Sequence, residues 1–473
     1  MVEFSKALSA TPTPIPGLMV WDLPVHGDAR GWFKENWQRE KMTALGLPDF
    51  GPVQNNVSFN DEVGTTRGIH AEPWDKYVSV ATGRIFGAWV DLREGPSFGA
   101  VFTTQIDPSR AIFVPRGVGN AYQTLEADTA YTYLVNDHWS ADAEYTFLNL
   151  ADETVAIEWP IPLDRVEISA KDLAHPRLAD VSPMTPRKTL VLGANGQLGR
   201  ALRAEYADVA HVEFASRGEL DLTSDRLDSA RRWRDYDTII NAAAYTAVDA
   251  AEASPGREAA WRVNVVAVAA LARVAAANDL TLVHVSSDYV FDGQSDLPHP
   301  EDEPLSPLGV YGQTKAAGDT VVATVPRHFI VRTSWVIGEG KNFVATMASL
   351  AERGVDPSVV ADQTGRLTFA SDIARGIRHL LSSGAAPGVY NLTGSGEPLS
   401  WAEIARRVFV LTGNDPSRVH GVATQEYFAT ADGPVAPRPG NSVLDLAKIE
   451  ASGFVPSDHL AALEDTLLAR RAE

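Results

Sequence analysis

The chain carries two different rhythms of apolar and polar positions. Between Trp21 and Trp159 the apolar residues come in short alternating runs, the period of strands with one buried face. Residues 76–92 alternate about Thr82-Gly83-Arg84, which predicts a hairpin, and Thr129–Val135 is a further aromatic and β-branched run. Helical spacing shows clearly only over residues 39–45, and Pro and Gly interrupt the chain often. Many short strands predict an all-β sandwich or barrel. From residue 188 the rhythm changes to buried strand, Gly-rich turn and Ala-rich helix. Strands are predicted at 189–192, 211–215, 238–241, 280–286 and 329–333, and helices at 257–277 and 400–411. That alternation predicts an α/β domain with a parallel sheet covered on both faces. The stretch 179–187, with Pro183 and Pro186 and few apolar residues, reads as a linker between domains 1–178 and 188–473.

Composition narrows the chemistry. At 473 residues the chain has room for two or three domains. Its formal charge of −20 argues against nucleic acid or an anionic membrane as a partner. The absence of cysteine excludes disulfides, thiolate metal sites and a thiol nucleophile, and fits a reducing compartment. No stretch reads as a transmembrane helix, and the N-terminus lacks the pattern of a signal peptide, so a cytoplasmic protein is expected. Any anionic ligand must find a local minority of Arg and Lys.

In the second domain Gly193-Ala-Asn-Gly196-Gln-Leu-Gly199 follows a predicted strand and opens a predicted helix. Glycine lets the backbone turn tightly there and approach a pyrophosphate that the helix N-terminus stabilises. The next strand ends in Ser216-Arg217; Arg suits a ribose 2′-phosphate, so NADPH is favoured, with NADH the alternative. Downstream stand Ser286-Ser287-Asp288-Tyr289 and Tyr311-Gly-Gln-Thr-Lys315. Tyr311 and Lys315 share one helix face, the ammonium is expected to lower the phenol pKa, and Ser287 can fix a carbonyl.

These segments, together with Asn241-Ala-Ala-Ala-Tyr-Thr-Ala-Val-Asp249, Arg332-Thr-Ser-Trp-Val336 and Arg438-Pro-Gly-Asn-Ser442, resemble the extended short-chain dehydrogenase/reductases. Within that family they are similar to the dTDP-4-dehydrorhamnose reductases. The resemblance implies a Rossmann fold with a small substrate-binding subdomain and a catalytic set of Ser287, Tyr311 and Lys315. It further implies a cofactor site at Gly193, Gly196, Gln197, Leu198, Gly199, Arg217, Asp221, Leu222, Ala242, Ala243, Ala244 and Tyr245, and sugar contacts at Trp335 and Arg438. Ser287 stands where these reductases usually have Thr, and Leu367 where they commonly have Pro.

In the first domain Asp28-Ala-Arg30-Gly31, Arg67-Gly-Ile-His70 and Lys76 suggest a pocket for an anion that needs a base, and the scattered histidines offer no metal-ligand spacing. With Gln54-Asn-Asn56, Pro115-Arg-Gly117, Tyr133, Glu144 and Ser169-Ala-Lys-Asp172, they resemble the dTDP-4-dehydrorhamnose 3,5-epimerases, metal-free enzymes with a cupin-like jelly-roll barrel. That resemblance implies His70 as general base oriented by Asp172, Tyr133 as general acid, and Lys76 as the cation for an enolate. Arg30, Glu35, Gln54, Asn56, Arg67, Asn120 and Glu144 fall on nucleotide-sugar contacts, with Asn120 replacing a His and Trp139 a Tyr. Together the two resemblances imply a bifunctional enzyme that epimerises a nucleotide-linked 4-ketosugar and then reduces it with NADPH, and a homodimer formed through the barrel. The alternatives are a related deoxysugar or base, epimerisation at one carbon only, or a non-catalytic reductase-like regulator.

Overall fold

The computed structural model describes residues 4, 6–140 and 143–472, and the chain forms two compact units, Met1–Pro186 and Arg187–Glu473. The first is built from two antiparallel sheets. One runs in the order Ser9–Pro12, Met19–Asp22, Arg110–Val114, Lys76–Thr82, Thr129–Val135, Gln54–Asn60. The other runs Thr146–Phe147, Thr66–Ala71, Val118–Thr124, Ile85–Asp91, Val101–Ile106. Alternate residues of both sheets, among them Val78, Val80, Trp89, Ile112, Tyr122 and Tyr131, turn inward and form one core, as the alternation predicts.

Residues 76–92 form two strands but not a hairpin. Lys76–Thr82 pairs in the first sheet and Ile85–Asp91 in the second, so Thr82-Gly83-Arg84 is a corner between sheets. Alternation identifies strands without identifying their partners. Gly83 has φ +78°, and a Cβ there would come within 2.9 Å of the Thr129 Cα. The stretch 179–187 likewise departs from the linker reading. Val181 and Met184 are buried against the barrel, and Met184 N donates to the Leu92 carbonyl at 2.7 Å. Two apolar residues suffice to hold a proline-rich strip down.

The second unit is a six-stranded parallel sheet in the order Val212–Ala215, Lys188–Leu192, Tyr236–Asn241, Thr281–Ser287, His328–Thr333, Gly388–Asn391. Both faces of its central strands are apolar. Leu190, Ile239 and Leu282 enter one core with the helix Ala267–Ala277, while Val191, Ile240 and Val283 enter the other with the helices Gln197–Glu205 and Ala370–Ser382. A third core, with Val344, Met347, Ile404, Val408, Leu463 and Leu467, builds a small subdomain. Against expectation, the 22-residue helical run Gly256–Ala277 is long and apolar enough to cross a membrane. Its Leu271, Val274 and Ala275 are spent on the sheet, which makes it the core helix of a doubly wound fold.

The corner makes a stability prediction. Gly83→Ala places a Cβ at positive φ against the Thr129 backbone, and should cost the barrel about 1–2 kcal/mol. Calorimetry on the full chain should show the barrel transition lowered and the transition of the second unit unmoved.

Candidate active sites

In the barrel, strand register decides which side chains meet. Tyr133 lies opposite Asn56 on one neighbour and Val78 on the other, and Val135 lies opposite Gln54 and Lys76. Gln54, Asn56, Lys76 and Tyr133 therefore share the inward face. On the facing sheet Asn120 pairs with both His70 and Trp89, while Tyr122 pairs with Arg67 across a bulge. Without that extra residue Arg67 and His70, three apart, would point to opposite sides of the strand. A cavity of about 410 Å³ is lined by Asn60, Arg67, His70 and Asp172, among others.

Asp172 sits in the first turn of the helix Ala170–Leu173, whose cap Ser169 accepts its backbone N–H. Its Oδ1 is 2.9 Å from His70 Nε2, and its Oδ2 accepts the Gly68 N–H at 3.3 Å. Burial alone would raise this carboxyl; the His70 hydrogen bond and charge, with the Gly68 N–H, outweigh it and hold the group below the ordinary carboxylate range. An ionised Asp172 accepts the Nε2 proton and leaves Nδ1 as the basic nitrogen. His175, which the sequence reading passed over, is buried with its Nε2 3.8 Å from the same Asp172 oxygen. Its ring stacks on Phe147 at 4.7 Å. Burial, then the facing His70, push its pKa down. The ligand atoms of His70, Asp172 and His175 lie within 4.8 Å of one another, a convergence that sequence spacing conceals.

Lys76 Nζ lies 5.0 Å from the Tyr133 ring centroid and is paired with Glu72, a partner with no sequence signal. Burial, reinforced by Glu72, pushes the Tyr133 phenol up to about 12, so it is a protonated donor at neutral pH. Asn120 is buried; its Nδ2 donates to Tyr131 Oη at 3.0 Å, and its Oδ1 has no partner among the described residues. The outlying predicted contacts are engaged locally. Arg30 binds Asp28, Glu35 binds Lys41 at 2.5 Å, Gln54 donates to Asn56 at 2.8 Å, and Arg67 donates to Asn60 at 3.2 Å. Glu144 and Trp139 are exposed.

In the second unit a cavity of about 360 Å³ opens where the chain departs to either side of the Lys188–Leu192 strand. Gly193, Gly196, Arg217, Asp221, Leu222, Ala242, Ala243, Ala244 and Tyr245 line it. At Gly193, φ is +76° and a Cβ would come 2.8 Å from Ala243 N; at Gly199 a Cβ would strike the Gly193 carbonyl at 2.2 Å. The backbone cradle is thus one that only glycine permits, and it fits a dinucleotide. The side chains of Gln197 and Leu198 are committed elsewhere, to the Gly338 N–H and to the core. At these positions the free groups are the amides of the first helical turn.

Ser287 ends its strand and donates to Asp288 Oδ1 at 2.8 Å. Tyr311 is one helical turn before Lys315, whose Nζ donates to the Val285 carbonyl at 2.7 Å. The phenol departs from the expected direction: burial, then the buried Asp288, raise the Tyr311 pKa well above its ordinary value, opposed by its interaction with Ser287. The expectation counted the ammonium and omitted desolvation. A raised phenol is a proton donor. Two unforeseen residues hold this site together: Glu252 accepts the Val310 N–H at 2.7 Å at the start of the Tyr311 helix, and buried Asn264 brackets the Tyr245 backbone. Their signal is only positional: Glu252 ends the short turn Ala250–Glu252, and Asn264 lies within the helical run Gly256–Ala277. Of the two expected sugar contacts, Trp335 stacks on Trp401 at 3.7 Å, and Arg438 is bound by both Asp249 oxygens at 2.9 and 2.8 Å. Leu367 is fully buried in the subdomain core.

A glycine cradle with a buried Ser287 and Lys315 and a half-buried Tyr311 defines a dinucleotide-dependent oxidoreductase of the short-chain type, and the barrel dyad defines a base-catalysed site. Family models match both: the RmlD substrate binding domain over residues 187–471 and dTDP-4-dehydrorhamnose 3,5-epimerase over residues 12–180. A protein RmlC homolog from Streptococcus pyogenes serotype M6 is 52% identical over 37% of this chain and 90% of its own length. A dTDP-4-dehydrorhamnose reductase from Mycolicibacterium smegmatis is 36% identical over 60% of this chain and 86% of its own. The crystal structure of a dTDP-4-dehydrorhamnose reductase from Bacillus anthracis, in complex with NADP, is 30% identical with a TM-score of 0.55, covering 60% of this chain and 99% of that one. The chain belongs to both families, as a fusion of a dTDP-4-dehydrorhamnose 3,5-epimerase unit and a dTDP-4-dehydrorhamnose reductase unit.

Burial pulls the Lys315 pKa down to about 8, with Asp319 opposing. Between that pH and the ordinary lysine value the unfolded chain binds more protons than the folded one, so this group adds stability as pH rises and withdraws it as pH falls. Denaturation of the second unit from about pH 8 to 10 should therefore show a rise in stability that Lys315→Met lacks.

Proposed function

We propose that the two units carry out consecutive steps on one nucleotide sugar: epimerisation of dTDP-4-dehydro-6-deoxy-D-glucose at C3 and C5, then reduction of its C4 ketone with NADPH to dTDP-L-rhamnose. The observation that carries this reading is the presence, in one chain, of a complete base–acid–cation set in the barrel and a complete Ser287–Tyr311–Lys315 set beside a dinucleotide cradle. The C4 ketone acidifies the hydrogens on C3 and C5. His70 Nδ1 takes a proton, Asp172 holds the imidazole and the charge it gains, and Lys76 steadies the enolate oxygen. Tyr133, still protonated, returns a proton from the other face. The inward face shared by Gln54, Asn56 and Tyr133, and the unpaired oxygen of Asn120, supply polar contacts for the sugar.

NADPH, when bound, supplies the hydride to C4. Gly193, Gly196 and the amides of the helix Gln197–Glu205 would hold its pyrophosphate, and exposed Arg217 its 2′-phosphate. Glu219, two residues after Arg217, has its carboxylate bound by both Ser216 N and Oγ at 2.7 Å, and Asp221 in the cavity wall is bound by Thr223 N and Oγ, which supports NADPH over NADH. Ser287 would orient the ketone and Tyr311 protonate the forming alkoxide, a role that suits a phenol whose pKa is raised. A cysteine-free, NADPH-consuming enzyme suits the cytoplasm. A second copy docks on the barrel edge, where Gln54–Asn60 has one neighbouring strand among the described residues and exposes Val57 and Phe59.

In deuterated water without cofactor, the ketosugar should gain deuterium at both C3 and C5, and adding NADPH should then start its oxidation. Exchange at one carbon would restrict the epimerase; no exchange would overturn it. His70→Asn should slow exchange at least about 100-fold, while Tyr311→Phe should cut NADPH oxidation by about 10²–10⁴ and leave exchange intact. Light scattering should give twice the chain mass, and one chain mass for a Val57→Lys, Phe59→Lys double variant.

A further inference from the structure

Behind Lys315 the second unit buries a titratable group that the chemistry above leaves unused. His284 lies on the strand Thr281–Ser287, 1% exposed. Its Nε2 is 3.2 Å from Lys315 Nζ and its Nδ1 is 3.1 Å from Asn241 Nδ2. Asn241 closes the next strand and stands in register with His284. Gly318, one turn beyond Lys315's neighbour Thr314, keeps the helix close: a Cβ there would already be 3.5 Å from His284 Nε2.

The direction of each hydrogen bond in this chain follows from its far end. Asn241 Oδ1 accepts the Ala243 N–H at 3.2 Å, so the amide nitrogen of Asn241 faces the imidazole and donates to Nδ1. A neutral imidazole that accepts at Nδ1 carries its proton on Nε2. That N–H points at Lys315 Nζ, whose own hydrogen goes to the Val285 carbonyl. The lone pair of the amine thus meets a donor.

We propose that Asn241 and His284 are positioning residues for Lys315: Asn241 locks His284 as the Nε2–H tautomer, and that N–H fixes the amine and favours its uncharged form. The proposal deepens, and rests on, the reductase reading of this site. Burial and the adjacent Lys315 both oppose charging His284, and burial lowers Lys315. The other charged groups facing Lys315 are few. Asp319, on the same helix, favours the ammonium but is itself bound to Arg332 of the neighbouring strand at 3.1 Å. Tyr311, one turn earlier on the same helix, is itself faced by the buried Asp288.

The tautomer can be read directly by long-range ¹H–¹⁵N NMR on full-length protein labelled at histidine, without substrate, with the His284 signals identified by their loss in His284→Gln. A neutral Nε2–H ring from about pH 6 to 9 is expected; an Nδ1–H ring, or a protonated one, would overturn the proposal. In the pH profile of sugar-dependent NADPH oxidation, His284→Phe removes the donor and should move the basic limb up by about one pH unit, with the KM for NADPH changed less than about twofold. His284→Gln, whose amide nitrogen replaces Nε2, should restore the limb. A limb that stays, or moves down, in His284→Phe sinks the idea. If wild-type protein oxidises no NADPH with the sugar, the reductase reading fails, while the NMR result still tests the lock.

Discussion

A titratable group taken out of water must be given a partner, and both sites are organised by that demand. Asp172 is buried yet ionised because His70 and the Gly68 N–H supply what water would. Lys315 is buried with a carbonyl and an imidazole as its neighbours, and Asp319 with Arg332. Where burial outweighs the groups that would favour ionisation the proton stays on, as in Tyr133 and Tyr311, and these are the two groups proposed to give a proton away. Base and acid are thus separated less by residue type than by whether burial comes with compensation.

The same demand shapes how anions are received by an acidic chain. Several of the cations assigned to a nucleotide sugar are already occupied: Arg30 by Asp28, Lys76 by Glu72, Arg438 by Asp249. A ligand phosphate or enolate oxygen received there would exchange one ion pair for another, and the net gain would be far smaller than the attraction of a bare charge. Such pairs confer selectivity by requiring the right geometry for exchange.

Legibility in the sequence followed the distance over which each feature is built. The glycine cradle and the Tyr311–Lys315 pair are local, set by one turn and one helix face, and could be read from spacing. The parallel sheet could be read from its alternation of strand and helix. His70 and Asp172 lie 102 residues apart, and only family resemblance linked them. His175, Glu72, His284 and Glu252 left no trace, because each matters through a contact made by folding and none stands in a distinctive pattern. The misread corner at Gly83 has a related cause: alternation reports that a strand has a buried face, and is silent on which sheet completes it. At Tyr311 helix-face spacing shows the ammonium but not the burial, and it is burial that decides the direction of the phenol's pKa.

The bulge in Thr66–Ala71 has one further consequence. A strand has a reading frame of two, and the extra residue between Arg67 and His70 shifts that frame once, so that the proposed sugar contact and the proposed base fall in phase. Evolution can change either side chain independently, but insertion or deletion of a single residue here would invert one against the other. The spacing is therefore less free to vary than the residues it separates.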